Sequence, residues 1–429
     1  MSTIKPLPGI RYATDKSRDI SALLAPPYDF LDDAGKAALV GRNPRNFVVI
    51  DLPHMPPKAA GPAAAYEQAR RTMDAWLADG TLVRDGDPGL YGYHQAYTHG
   101  GTAYVRKMFF ARLKIEPFGE GSIFPHERTF GGPKEDRLAL TKATQANLSP
   151  IFGLYEDAQN VIAGRLEQAL GRDPLATGTL DGVENLLWRV TDPTIITEVA
   201  RLLAPKATYI ADGHHRCGTG MMYRDWLVQE RGPLPAEHPA NYVLCVFCAM
   251  EDPGLLILPT HRILPGVNVT ADTLRHDAAV QVVPLDVKTG GAAVKALTKH
   301  GPQAVGLFNA ASGAYWAVKP KSPDILDKLE PARAPAWRRL GLAFLHAYLL
   351  DRVVTPNLCG GKAAEIDYIK SDDDAIATAR ATAGAAFLMQ PTTMEELRDV
   401  CSAGDLMPQK STFFYPKLAS GLVVNPLTE

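Results

Sequence analysis

Asp212-Gly213-His214-His215-Arg216 is the densest polar cluster of the sequence. It follows a short apolar run, Ala207-Thr208-Tyr209-Ile210-Ala211, and precedes a helical pattern reaching Trp226. The spacing predicts a strand, a polar turn and a helix start. A helix N-terminus presents unpaired N–H donors and the positive end of the dipole, Gly213 permits close backbone approach, and Arg216 can fork onto phosphate oxygens. That is the chemistry of an anion site. The competing account has Asp212 merely capping the helix and the histidines in core hydrogen bonds, but capping explains only the first of the five residues. Asp212 is also compatible with Mg²⁺ shared with substrate phosphates. A zinc site is disfavoured: adjacent histidines diverge, no His-Glu-x-x-His pair is present, and Cys245 and Cys248 fall on opposite faces of a predicted strand.

Pro125-His126-Glu127-Arg128-Thr129 sets a carboxylate beside an imidazole and a guanidinium, in a loop that continues Phe130-Gly131-Gly132-Pro133-Lys134. Glu127 is placed to act as a general base toward a hydroxyl, with Arg128 or Lys134 orienting an anion. A surface ion-pair loop accounts for the same residues equally well. Two further clusters are less specific. Gln409-Lys410-Ser411-Thr412 joins a cation to two hydroxyls, a set suited to phosphate oxygens, without the glycines of a P-loop. Pro259-Thr260-His261-Arg262 offers His261 and Arg262 as substrate contacts, or as a hydrogen-bonded strand end.

These clusters sit in an alternating pattern of elements. The run Phe47-Val48-Val49-Ile50 reads as a buried strand, and Tyr66, Ala69, Met73, Trp76 and Leu77 recur at helical spacing. Leu90–Tyr97 and Tyr104–Ile115 read as paired strands around Gly100-Gly101. Helices are predicted over 135–146, 158–170, 193–203, 340–353, 375–384 and 393–403, and strands over 186–190, 242–247, 255–258 and 385–389. The class is mixed α/β. The length of 429 residues, with 46% hydrophobic and 21% charged, describes a globular chain, and a formal net charge of −2 excludes a surface that coats nucleic acid or anionic membrane. Five cysteines, an odd number, do not make a disulfide framework, and no apolar stretch nears the roughly 20 residues needed to span a bilayer. With no apolar core of a signal peptide at the start, the expected location is cytoplasmic. The 36 glycines and 34 prolines are spread along the chain and predict many ordered turns.

Taken together, Ala25-Pro26-Pro27-Tyr28-Asp29, Pro125-His126-Glu127-Arg128-Thr129, Ala211-Asp212-Gly213-His214-His215-Arg216, Asp252-Pro253-Gly254-Leu255, Leu258-Pro259-Thr260-His261-Arg262 and Met407-Pro408-Gln409-Lys410-Ser411-Thr412 resemble, in order and over almost the full length, a widespread prokaryotic family labelled domain of unknown function 1015. The Pro-His-Glu loop followed by the Asp-Gly-His-His-Arg box also resembles the free L-serine kinase branch of the ParB/sulfiredoxin-like superfamily. That resemblance implies a ParB/sulfiredoxin-like nucleotide-binding core, with Asp212, Gly213, His214, His215 and Arg216 on the nucleotide phosphates. It further implies Glu127 as the base that activates a serine hydroxyl with His126 beside it, and Lys410-Ser411-Thr412 in place of a late Lys-Thr-Thr run. The interval between the two motifs is longer here than in the kinase, so a large insertion is expected after Gly131. His214 stands where sulfiredoxin has its cysteine, which disfavours sulfinic-acid chemistry.

The expected activity is therefore a small-molecule kinase of amino-acid metabolism, moving phosphate from ATP or ADP with Mg²⁺ onto L-serine or a related metabolite. The expected partners are that substrate, with no nucleic acid and no membrane; a homodimer is compatible with the sequence. The catalytic candidates are Glu127, His126 and Asp212, and Arg128, Thr129, His261 and Arg262 are candidate substrate contacts. A nucleotide-binding regulator without catalysis is the alternative, and a metal-dependent hydrolase using His126, His214, His215 and His261 a third reading. The expected division is a nucleotide-binding region over 1–264 and a C-terminal α/β region over 265–429 whose tail returns to the active site.

Overall fold

The computed structural model describes residues 2–119, 121–127 and 131–428. The chain forms two units, Met1–Leu256 together with Pro416–Glu429, and Ile257–Tyr415. Both are mixtures of helix and sheet, so the class is mixed α/β.

The first unit is built on a nine-stranded sheet. Its strands in chain order are β1 (Ile4–Lys5), β2 (Tyr91–His99), β3 (Thr102–Lys114), β4 (Ile123–Pro125), β5 (Ile151–Tyr155), β6 (Ala176–Leu180), β7 (Val183–Leu187), β8 (Thr208–Asp212) and β9 (Tyr242–Ala249). Their order across the sheet is β4-β8-β5-β9-β3-β2-β7-β6, with β1 also on β3. Every residue of β9 is buried, which is why Tyr-Val-Leu-Cys-Val-Phe-Cys-Ala reads as a continuous apolar run: both faces are covered. β2 and β3 are joined through Gly100 and Gly101, both at positive φ (56° and 80°), the conformation a tight hairpin demands of its two central residues.

Helices α1 (Ala63–Ala78), α2 (Gly131–Thr144), α3 (Val161–Ala169), α4 (Pro193–Leu203) and α5 (His214–Arg231) belong to this unit. α4 shows how local chemistry fixes an element. The Asp192 carboxylate accepts the Thr194 N–H at 2.7 Å, Pro193 takes the first helical position, and Ile195, Val199 and Leu203 bury one face. The sequence misleads at Phe47-Val48-Val49-Ile50. This run forms a short helix, Val48–Asp51, because the Asn46 side chain accepts the Val48 N–H at 3.0 Å and turns the backbone. Four apolar residues carry too little periodicity to tell the two structures apart.

Pro416–Glu429 is laced into the first unit by backbone bonds. Ala25 and Ser420 exchange N–H···O bonds at 3.1 and 2.8 Å, Ile10 and Val424 do so at 2.9 and 2.8 Å, and Asn425–Pro426 pairs with Ala146–Asn147.

The second unit carries a six-stranded antiparallel sheet in the order Val280–Leu285, Tyr315–Pro320, Val305–Asn309, Ala385–Leu388, His261–Leu264, Asp367–Ile369. The helix predicted over 340–353 starts as a single turn, Gly341–Ala343, and continues with wider π-type winding over Phe344–Val354. Met394–Ser402 is closed by a capping box in which Thr393 and Glu396 satisfy each other's backbone N–H. Among the described residues no helix is long and apolar enough to cross a membrane.

Candidate functional site

Two motifs leave the ends of adjacent parallel strands. β4 and β8 pair in parallel with Pro125 opposite Ile210, so His126-Glu127 and Asp212-Gly213 emerge side by side at the C-terminal edge of the sheet. In α/β sheets that edge is where ligands are bound. Gly213 makes the transition from β8 to α5 at φ 85°, and a Cβ there would come within 3.1 Å of both Arg216 Nε and Ile151 Cα. The left-handed conformation and the lack of space both call for glycine.

The motifs are tied to each other. The backbone N–H of His126 donates to Nε2 of His214 at 3.2 Å, and the two rings meet edge to face at 4.6 Å. His126 Nδ1 lies 2.6 Å from the Ile210 carbonyl. A carbonyl only accepts, so Nδ1 carries the proton and Nε2 presents a lone pair. Nε2 stands 3.9 Å from Oε1 of Glu127, beyond a direct hydrogen bond, and Glu127 keeps 28% of its side chain exposed.

Asp212 is the hub of the charges. Its Oδ1 takes Lys417 Nζ at 2.6 Å and its Oδ2 takes Arg216 Nη2 at 2.5 Å, while Arg216 Nη1 also donates to the Pro150 carbonyl. Burial works to raise the Asp212 carboxyl, but Lys417 and Arg216 prevail and hold it well below the usual carboxylate range. Burial and the neighbouring His126 push His214 well below the ordinary imidazole value; burial lowers His126 and, more weakly opposed by Asp29, His215. These imidazoles are neutral near pH 7.

Asp29 joins the same field. Its surface is solvent-accessible although its neighbours crowd it, and its carboxyl is raised by desolvation first and by Asp212 second. Tyr28 beside it lies under the Arg137 guanidinium, 4.1 Å from the ring centroid, and the Phe30 ring lies 5.3 Å from Lys417 Nζ. Lys134, from α2, crosses α5 at Gly218, where an added Cβ would lie 3.1 Å from Lys134 Cδ. It acts electrostatically on His215, as Glu127 does.

Arg128 and Thr129 fall outside the described residues. His261, Arg262, Lys410, Ser411 and Thr412 belong to the second unit. His261 is fully buried, with Nε2 on Asp372 Oδ1 at 2.7 Å and Nδ1 accepting the Met389 N–H at 3.1 Å. Arg262, 1% exposed, donates to the carbonyls of Thr260, Gln409 (2.8 Å) and Lys410 (3.0 Å). Ser411 is buried, its hydroxyl on the Pro408 carbonyl and its own carbonyl accepting Thr392 Oγ1 at 2.8 Å. Lys410 is exposed at a left-handed φ of 56°. Cys245 and Cys248 are both buried in β9, and no group of three His, Cys, Asp or Glu side chains among the described residues is arranged to hold a metal.

Sequence reasoning missed Asp29 and Lys417. Asp29 carried a signal, an acidic residue after Pro26-Pro27-Tyr28, to which no chemistry was attached. Lys417 carried almost none: it is a lone cation in the largely apolar stretch from Phe413 to Val424.

A family whose description reads "Protein of unknown function (DUF1015)" has a model that matches residues 4–343. No curated protein matches the chain. Among solved structures, a free serine kinase in complex with AMP aligns at 13% identity and a TM-score of 0.33, over 68% of this chain and 83% of its own. A conserved hypothetical protein from Pyrococcus furiosus aligns at 15% identity and 0.31, over 71% and 92%. SbnI with a C-terminal truncation, from Staphylococcus aureus, aligns at 12% and 0.32, over 71% and 84%.

Proposed function

The chain belongs to the DUF1015 family, and for this member we propose a small-molecule kinase that transfers phosphate from ATP or ADP to the hydroxyl of free L-serine or a related metabolite, giving O-phospho-L-serine. The observation that carries the reading is the parallel pairing of β4 with β8, which delivers a carboxylate, Glu127, to the edge where the Asp212–Arg216 box opens a helix. An anion site alone needs no carboxylate beside it. A site that must take a proton from a hydroxyl next to a phosphate does, and this is what favours a kinase over a nucleotide-binding regulator.

In the proposed reaction the backbone N–H groups at the start of α5, with Gly213, His214, His215 and Arg216, hold the phosphate chain. Glu127 takes the hydroxyl proton as the acceptor oxygen bonds to the terminal phosphorus and the bond to the departing nucleotide breaks. Neutral His126 lies beside the base, its Nε2 3.9 Å from Glu127 Oε1, without a direct hydrogen bond to it. A magnesium ion arriving with the nucleotide would meet the exposed carboxylate of Asp29 and, beside it, Asp212, whose two oxygens already bind Lys417 and Arg216. When bound, Mg²⁺ would be held mainly by phosphate oxygens with Asp29, and by Asp212 only in exchange for one of its cations, and would neutralise phosphate charge. The buried, internally bonded His261 and Arg262 are assigned to holding the second unit together in place of contacting substrate, and Lys410, Ser411 and Thr412 are carried forward as phosphate ligands only through the resemblance of their run to that of the kinase. The five free cysteines accord with a cytoplasmic setting.

The test is incubation with ATP or ADP, Mg²⁺ and a panel of hydroxyl-bearing amino acids, with chromatography for the dephosphorylated nucleotide and a phosphorylated acceptor. Nucleotide binding without any phosphorylated product would sink the kinase and leave the regulator.

A further inference from the structure

We infer that Lys417 is a phosphate-binding residue of the candidate site, delivered to it by the C-terminal segment and held in place by a buried polar lattice under that segment. The inference rests on the reading of the Asp212–Arg216 box as a nucleotide-phosphate site.

The lattice comes first. Arg106, on β3, is fully buried; it donates to the Gln95 side chain and, at 2.6 Å, to the Pro416 carbonyl, and its guanidinium lies 5.0 Å over the Phe152 ring. Gln95 Nε2 donates to the Lys417 carbonyl at 3.0 Å and to Asn185 Oδ1 at 3.1 Å. Tyr93 donates its hydroxyl to the same Asn185 oxygen at 2.7 Å and accepts the Ala419 N–H at 3.3 Å. Two adjacent strands, β3 and β2, thus spend buried side-chain polar groups on the backbone around Lys417, and Asn185 of β7 holds two of those side chains from behind. Arg106 has a carbonyl, an amide and a ring as partners. Ordering of that kind fixes where a backbone lies far more narrowly than stability requires.

The ion pair itself is not needed to fasten the segment. The Ala25–Ser420 and Ile10–Val424 backbone exchanges already do so, and a partly buried ion pair adds little stability over a packed apolar residue. What the ammonium does supply is charge. Asp212 is one carboxylate shared by two cations, Lys417 and Arg216, beside imidazoles that stay neutral and at the N-terminal end of α5, while Asp29, the second carboxylate in this field, has its carboxyl raised by desolvation and by Asp212. The side chains of Lys417, Asp212 and Arg216 are 17%, 21% and 12% exposed, low enough to strengthen electrostatics and open enough to be reached. An ammonium has three donors and can hold a carboxylate and a phosphate oxygen together, so Asp212 aims Lys417 as well as neutralising part of it. The ligand chemistry is a phosphate chain: two cations and a helix N-terminus converge on one point, and the acceptor needs only the carboxylate of Glu127 nearby.

Isothermal titration with ADP and with inorganic pyrophosphate tests this on the full chain, comparing the wild type with K417M, K417R and R216M. The expected result is a loss of ADP affinity of at least tenfold in K417M, with K417R within about threefold of wild type. K417M binding within twofold of the wild type, while R216M loses affinity, overturns the inference and leaves the phosphate site standing. Wild-type protein that binds neither probe overturns the phosphate site, and the inference with it. Should K417M fail to fold, acetylation of the wild type followed by peptide mass spectrometry decides: ADP slowing modification of Lys417 several-fold supports the role, and an unchanged rate refutes it.

Discussion

His126 gives its backbone N–H to Nε2 of His214 at 3.2 Å. This bond joins the two motifs across 88 residues of sequence and fixes the tautomer of His214, whose Nε2 must be the unprotonated nitrogen. The imidazole is thereby committed to a structural bond and to neutrality, leaving Glu127 as the group beside it with a carboxylate to accept a proton.

Glu127→Gln keeps the shape of the side chain and removes the base. Turnover should fall about 10²–10⁴-fold, the ordinary contribution of a positioned base. Nucleotide affinity should stay within about twofold by titration calorimetry. Full activity of this variant in a coupled phosphoserine assay would remove Glu127 from the mechanism.

Acid should destabilise the protein before carboxylates titrate. His126, His214 and His215 have folded values below the ordinary 6.5, and burial takes His346 in the second unit down to about 4. A group depressed in the fold binds its proton more readily when unfolded, so the stability is present above about pH 6.5 and is lost as pH falls toward the folded value. Melting temperatures measured from pH 7.5 to 5 should decline steadily, and His214→Gln, which keeps an acceptor for His126, should flatten the slope. A flat wild-type profile over that range would contradict the buried neutral imidazoles.

Gly213→Ala forces a side chain into φ 85° and against Arg216 Nε and Ile151 Cα. We expect a loss of about 1–3 kcal/mol in urea unfolding, together with weakened nucleotide binding as Arg216 is displaced. Gly80, exposed and also at positive φ but with nothing near its Cβ, should lose stability on the same substitution without touching ligand affinity.

Thiol accessibility gives a check independent of function. Cys217, Cys245, Cys248 and Cys401 are buried, with burial pushing the thiols of Cys217 and Cys401 up to about 12, and Cys359 is half-buried. An aromatic disulfide reagent should titrate about one thiol in the native protein and all five after denaturation. Cys359→Ser should abolish the native reaction; a remaining fast thiol would place one of the other four at the surface.

The local parts of this architecture were legible in the sequence and the long-range ones were not. Asp192-Pro193 with apolar residues at helical spacing announces α4, and the run into Asp212-Gly213 announces a strand-to-helix turn, because caps and periodicity act within a few residues. Nothing in a single sequence reports that β4 lies beside β8, since that register is set by packing of the whole sheet. The Asp212–Lys417 pair, 205 residues apart, is hidden for the same reason. His261-Arg262 is a different case. A polar cluster at a strand start looks alike whether it faces a ligand or its own core, and only burial tells that Asp372, Met389 and three carbonyls have taken these side chains.

The return of Pro416–Glu429 to the first unit sets an order of events during synthesis. A ribosome releases Glu127, Asp212 and Arg216 long before Lys417, and the whole of Ile257–Tyr415 is translated in between. Until Pro416 and Lys417 emerge, Arg106 and Gln95 lack those carbonyls to bind, and Asp212 has Arg216 alone. Until Pro416–Glu429 is made, the proposed site therefore has only one of the two cations that flank Asp212.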